Sequence, residues 1–199
     1  MTAPRSLLLS TRNAHKLREF DRLLAPAGIS VDPLPDDVAL PPEDGDTFAD
    51  NALPKARAAA HATGRAAIAD DSGIEAAALD GRPGVRSARY AGPEATDQEN
   101  LAKLMAEAPA GSGLRYVCAL AYVDPAGGAE HVFFGYCTGR LAEAARGTRG
   151  FGYDPAFLPD GDYDGRTMAE LSDAEKDGVS HRAGAVGALL AWLPGATGD

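Results

Sequence analysis

Ser6-Leu7-Leu8-Leu9-Ser10-Thr11-Arg12-Asn13-Ala14-His15-Lys16-Leu17-Arg18-Glu19-Phe20-Asp21-Arg22-Leu23-Leu24 reads as strand, turn and helix in immediate succession. Ser6 to Thr11 is a short apolar run suited to a buried strand. Leu17, Phe20, Leu23 and Leu24 then recur at helical spacing on one face. Thr11–Lys16 is the strand-to-helix turn between them. A helix start of this kind offers backbone N–H groups and the positive end of the helix dipole, a setting suited to phosphate. Thr11 and Asn13 add short hydrogen-bonding side chains, and Lys16 adds a mobile charge. The glycines of a GxxxxGK[ST] phosphate loop are missing, and an Asn at a helix start also serves as a plain cap.

Outward from this unit, the pattern of strand and helix repeats. A second strand is expected around Ile29–Val31, followed by Pro-rich loop to about Asp46. Thr47-Phe48-Ala49-Asp50 has the form of a capped helix start, and Gly64 suits its end. Pro54 conflicts with a helix capped at Thr47, at a cost of about 3 kcal/mol, so the helix either bends there or begins near Asn51. Ala66–Asp70 reads as a buried strand ending in acid. Thr96-Asp97-Gln98-Glu99 opens a helix through Leu101, Leu104 and Met105. Arg115–Asp124 and Glu130–Thr138 flank Pro125-Ala126-Gly127-Gly128 as a hairpin. Two further capped helices start at Ser172, with Glu175 as its partner, and at Ser180, with Leu189, Leu190 and Leu193. Strands interleaved with helices, plus one hairpin, predict an α/β fold with a mixed sheet.

The chain of 199 residues is sized for one domain, or for two closely packed lobes. Its 45% apolar and 24% charged residues are ordinary for a globular protein. No apolar run approaches the roughly 18 residues that span a bilayer, and the leucines after Met1 are too few for a signal peptide. A cytoplasmic location without membrane contact is the expectation. The net charge of −10 disfavours nucleic acid polymers but leaves room for a small phosphorylated ligand held by a few local cations. Cys118 and Cys137 lack metal-ligand spacing and read as reduced, buried hydrophobes, possible neighbours across adjacent strands.

Three further segments carry chemistry. Asp70-Asp71-Ser72-Gly73 places adjacent carboxylates at the end of an apolar strand, where open α/β sheets bind ligands. Strand alternation sends the two acids to opposite faces, so only one of them need face a given site. A turn cap with a solvated neighbour would use the same residues. Gly150-Phe151-Gly152-Tyr153-Asp154-Pro155 allows close approach of a flat ligand, with Phe151 stacking on a base and Asp154 accepting near its edge. It could equally be a structural turn. Lys176 precedes Ser180-His181-Arg182, which puts two cations in the first turn of a helix, against its dipole. That placement suits an anion or a keto oxygen, and a plain surface His-Arg pair would use the same residues.

In this order, Thr11-x-Asn13-x-x-Lys16, Thr47-Phe48-x-x-Asn51-Ala52-x-x-Lys55-Ala56, Ala69-Asp70-Asp71-Ser72-Gly73, Pro83-Gly84-Val85-x-Ser87-Ala88-Arg89-Tyr90, Phe151-Gly152-Tyr153-Asp154-Pro155 and Glu175-Lys176 with Ser180-His181-Arg182 resemble the inosine triphosphate pyrophosphatase family, the XTP/dITP diphosphatases. The matches span nearly the whole chain. The resemblance implies cleavage of hypoxanthine- or xanthine-bearing triphosphates to monophosphate and pyrophosphate, clearing deaminated nucleotides. It also implies a long twisted mixed sheet flanked by helices, two lobes with the site in the cleft between them, and a homodimer. Three positions depart from the family pattern. Arg12 stands where many members carry Gly, His15 stands where a small residue is common, and Pro54 precedes Lys55.

Carried onto this sequence, the resemblance gives Thr11, Arg12, Asn13, Ala14, His15 and Lys16 to the triphosphate, with Lys55, Ser72 and Lys176 beside it. Glu43 and Asp71 would hold magnesium, whose preference for a few carboxylates, water and phosphate oxygens suits them. Asp71 would be the general base or a metal ligand. Phe151, with Gly152, Tyr153 and Asp154, would hold the base, and His181 and Arg182 would donate to the purine 6-oxygen. An adenine amino group would leave those donors unpaired, at about 1–3 kcal/mol. A dUTP-type pyrophosphatase and a non-catalytic nucleotide-binding module are the rival readings.

Overall fold

The computed structural model describes residues 5–193. Among them the order is β1 (Ser6–Leu9), α1 (Ala14–Leu24), β2 (Ser30–Pro33), α2 (Phe48–Thr63), β3 (Ala67–Ala76), α3 (Asp97–Glu107), β4 (Gly113–Asp124), β5 (Ala129–Leu141), β6 (Phe157–Pro159), α4 (Asp173–Val179) and α5 (His181–Trp192), with short 3₁₀ turns between some of them. The strands form one open sheet in the order β2-β1-β3-β4-β5-β6. β1 pairs in parallel with β2, Ser6 opposite Ser30, and with β3, Leu8 opposite Ala67. β5 and β6 are antiparallel, Leu141 opposite Phe157. The fold is therefore α/β with a mixed sheet. Among the described residues no helix is long and apolar enough to cross a membrane.

The chain divides into two compact units. Of the described residues, the first comprises 5–71, 118–135 and 182–193, and the second comprises 72–117 and 136–181. In the first unit Leu7, Leu8 and Leu9 are fully buried, as a strand with partners on both edges and cover on both faces requires. Leu7 and Leu9 share a core with Phe20 and Leu24 of α1, Ile68, Leu120 of β4, and Val186 and Leu189 of α5. The second unit is built around Ile74, Leu101 and Leu104 of α3, Tyr116, Leu141, Phe157 and Met168.

The helix starts follow their capping residues. Thr47, Thr96 and Ser172 each accept the backbone N–H three residues on, and Asp50, Glu99 and Glu175 reach back to the cap. α2 begins at Phe48 and runs through Pro54 to a left-handed Gly64, so a start delayed to Asn51 is not adopted. The ring removes only one intrahelical donor, while the capped first turn and the buried face of Phe48, Ala52, Ala56, Ala59 and Ala60 hold the helix in place.

Two expectations are corrected. The second strand sits slightly later than Ile29–Val31, at Ser30–Pro33. β3 does not end at Asp70 but continues to Ala76, so both carboxylates lie inside a strand. Asp and Gly are weak strand formers, yet β4 lies beside this stretch and Ile74 and Ala76 feed the second core, which keeps the chain extended. Both cysteines are free and buried, Cys118 in the first core and Cys137 in the second. Burial raises both thiols, Cys137 to about 12.

Candidate active site

Parallel pairing sets Leu9 of β1 opposite Ile68 of β3, and the Ser10 N–H donates to the Ile68 carbonyl at 2.8 Å. The turn after β1 and the acids of β3 therefore belong to one region of the first unit. Asp70 is 1% exposed. Its Oδ2 lies 3.0 Å from Lys16 Nζ and 3.5 Å from Arg182 Nε. Arg182 Nη1 also donates to Glu19 Oε2 at 2.9 Å. Burial pushes the Asp70 carboxyl upward, but Lys16, Arg182 and Lys55 outweigh it and hold the group well below the usual carboxylate range.

Asp71 has different partners, as strand alternation requires. Its Oδ2 accepts from Asn51 Nδ2 at 2.8 Å, and the Asn51 amide oxygen accepts from the Gly45 N–H at 2.8 Å. A Cβ on Gly45 would fall 2.6 Å from Asp50 Cβ and 2.8 Å from that amide oxygen, so the loop closes on α2 only through glycine. Burial raises the Asp71 carboxyl; Lys55 and Asn51 oppose the rise and Glu43 adds to it. Lys55 is buried on α2 and donates to the Asp70 carbonyl at 2.8 Å and to the Glu43 carboxylate. The adjacent acids are thus electrostatically split: Asp70 is locked as an anion, while Asp71 keeps a raised proton affinity.

At the turn, Asn13 caps α1, its Oδ1 accepting from the N–H groups of His15 (2.8 Å) and Lys16 (3.2 Å). Thr11 Oγ1 accepts from the Asn13 N–H at 3.2 Å. Ala14 opens the helix, and the exposed His15 ring meets Arg18 Nη2 at 2.9 Å. The Arg12 side chain is turned onto the carbonyls of the 34–38 loop. Ser72 is half-buried on β3 and belongs to the second unit.

The second unit gathers the aromatic segment. Asp154 is buried and bonded three ways. It accepts from Lys176 Nζ at 2.7 Å, Tyr116 Oη at 3.0 Å and the Phe151 N–H at 3.0 Å. Lys176 Nζ also sits 5.4 Å from the centroid of the half-buried Phe151 ring. The Gly152 N–H donates to Asp97 Oδ2 at 2.9 Å. His181 stacks on Tyr116, with centroids 4.7 Å apart and planes 11° apart. Gly150 is required by contact, since a Cβ there would lie 2.0 Å from Asp154 Oδ2.

Three of these residues have partners inside the protein that the sequence does not show. Lys176, expected beside the triphosphate, is committed to Asp154 and Phe151. Tyr153 is a core residue whose hydroxyl donates to the Ser87 carbonyl at 2.7 Å, and it presents little to a ligand. Arg182 meets an anion inside the protein at the start of α5, formed by Glu19 and Asp70. Glu19, Asn51 and Tyr116 were not singled out as site residues. Glu19 gave no signal that set it apart from Asp21 on the same helix. Asn51 stood inside a recognised motif without a role, and the hydroxyl of Tyr116 has no signature in a strand otherwise read as core.

Among the described residues no group of three or more His, Cys, Asp or Glu side chains could hold a metal ion. The pair Glu43 and Asp71 offers oxygen donors only, a donor chemistry that fits a hard divalent cation completed by water and phosphate oxygens.

An α/β sheet bearing a split carboxylate pair, with Lys55 buried and Lys16 half-buried beside it, has a charge pattern that suits a polyphosphate anion. Residues 7–192 match the model of the Ham1 family, and the chain belongs to that family. It is 49% identical over 192 residues to the dITP/XTP pyrophosphatase of Symbiobacterium thermophilum, covering 94% of each chain. It is 48% identical over 200 residues to that of Mycobacterium tuberculosis, again over 94% of each. Among solved structures, a HAM1 protein from Coxiella burnetii superposes with a TM-score of 0.81 at 38% identity, covering 95% of this chain and 96% of the other. The dITP/XTP pyrophosphatase from Mycobacterium abscessus gives 0.70 at 43% identity, covering 95% and 99%.

Proposed function

We propose that this protein is a pyrophosphatase for deaminated purine nucleoside triphosphates, cleaving dITP, ITP and XTP to the monophosphate and pyrophosphate. Full-length similarity to relatives named dITP/XTP pyrophosphatase supports the substrate class. The observation that carries the chemistry is the split between Asp70 and Asp71. Asp70 accumulates the cations Lys16, Arg182 and Lys55, which raise the local potential for a polyphosphate. Asp71, with its raised carboxyl, is the group fitted to orient a water and accept its proton. The water oxygen bonds to the α-phosphorus as the bond to the pyrophosphate oxygen breaks. Positioning and charge neutralisation supply most of the rate in such a displacement.

Glu43 and Asp71 would hold a magnesium ion, which when bound would neutralise charge on the phosphates. For the base, Phe151 is assigned to stacking and His181 to donation at the 6-oxygen, while Asp154 and Lys176 fix the aromatic loop. The reading extends to a cytoplasmic enzyme, the whole chain acting as one catalytic domain in a homodimer, which light scattering would test. The experiment is pyrophosphate release from dITP, XTP, ITP, dUTP, dTTP and ATP at equal concentration, with and without EDTA. Preference for dITP and XTP, abolished by EDTA, is expected. Faster turnover of dUTP or dTTP would overturn the base assignment, and absence of turnover with any of the six would overturn the enzyme reading.

A further inference from the structure

We infer that Arg12 is a positioning residue: its guanidinium clasps the loop that carries Glu43 to the phosphate turn, and so sets where that loop meets α2. Arg12 Nη1 donates to the Leu34 carbonyl at 2.8 Å. Nη2 lies within hydrogen-bond distance of the carbonyls of Pro35 (2.8 Å), Val38 (2.9 Å) and Asp36 (3.3 Å). The Asp36 carboxylate adds a 3.5 Å ion pair. A planar fork of donors spans several carbonyls of one turn, which a lysine ammonium cannot reproduce.

The loop needs such a hold. Residues 36–46 contain Asp36, Asp37, Glu43, Asp44 and Asp46 and form no strand or helix. A chain so charged repels itself and extends when unrestrained. Its far end is fixed by the Glu43–Lys55 pair and by the Gly45 N–H on Asn51, the same Asn51 that donates to Asp71. Arg12 fixes the near end, and the stiff Pro41-Pro42 step lies between the two anchors. One side chain of the phosphate turn thereby determines the register in which Glu43 arrives. The inference concerns metal binding only insofar as the proposed pyrophosphatase reading holds.

The test uses the full chain with Arg12→Ala and Arg12→Lys. Hydrogen exchange read by mass spectrometry should quicken about tenfold over residues 36–46 in Arg12→Ala, less in Arg12→Lys, with α5 unchanged. The magnesium concentration giving half-maximal pyrophosphate release from dITP should rise severalfold, by more than turnover at saturating magnesium falls. Unchanged exchange in the loop, or equal acceleration in α5, would overturn the clasp. A quickened loop with an unmoved magnesium requirement would overturn the positioning of Glu43. If the unaltered protein released no pyrophosphate, the functional reading would fail while the exchange data still decided the clasp.

Discussion

Asn51 Nδ2 donates to Asp71 Oδ2 at 2.8 Å, from a side chain whose oxygen simultaneously accepts from Gly45. One buried amide therefore orients the carboxylate assigned to the chemistry and closes the acidic loop on α2. Asn51→Asp keeps the shape but replaces the donor with a second acid. Turnover of dITP is expected to drop by about tenfold or more, since a lost buried donor costs about 1–3 kcal/mol. Steady-state kinetics beside a thermal melt would separate this from unfolding, and undiminished turnover would remove Asn51 from the site.

Asp71→Asn and Asp70→Asn should behave oppositely. The Asp71 carboxyl is raised in the folded chain, so its ionised form is disfavoured there, and removing the charge should leave the melting temperature unchanged or higher. Turnover should nevertheless fall by about 10²–10⁴-fold, as expected for a lost general base. Asp70→Asn strips Lys16 and Arg182 of a buried carboxylate and should cost about 3–5 kcal/mol of stability. Equal melting temperatures for the two variants would contradict the electrostatic split.

Two glycines two residues apart should tolerate alanine very differently. Gly150 has φ +71° and a Cβ position 2.0 Å from Asp154 Oδ2, whereas Gly152 has φ +63° and open space. Gly152→Ala should cost only the left-handed conformation, about 1–2 kcal/mol. Gly150→Ala adds displacement of Asp154 from Lys176, and the KM for dITP should rise well beyond that of Gly152→Ala. Similar KM values would mean that the Asp154–Lys176 pair does not shape binding.

Tyr116→Phe deletes the hydrogen bond to Asp154 and keeps the ring on His181. A loss of about 1–2 kcal/mol in stability is expected, because the buried Asp154 loses a donor. Phe151→Ala, by contrast, should leave the melt nearly unmoved and raise KM. Calorimetry and kinetics on the two variants check the contrast.

Glu175 carries a pH-dependent share of the stability of α4. The Arg166 guanidinium, then the Ser172 N–H and hydroxyl, lower its carboxyl to about 2 in the folded chain. A depressed folded value means stability that is present above the ordinary glutamate range and lost as pH falls through about 4.5 toward 2. Glu175→Gln should flatten this limb of an acid melt monitored by circular dichroism, and an unchanged limb would exclude the contribution.

The sequence by itself determined the α/β class, the strand–turn–helix opening, the capped helices and the ordered motifs of the family, because hydrophobic period, capping chemistry and turn residues act over a few neighbouring positions. It also sent Asp70 and Asp71 to opposite faces of their strand, since strand alternation is local. Only the tertiary structure decided which charges meet. The continuation of β3 past the carboxylates depends on β4 lying beside it. The partners of Arg182 and Lys176 were illegible because their carboxylates, Glu19 with Asp70 and Asp154, lie far away along the chain. Asn51 and Arg12 acquired their roles in the same way, from a loop brought to them by packing. A charge is legible in sequence, whereas its partner is fixed by the fold, because burial strengthens an ion pair only between groups that the core has already brought together.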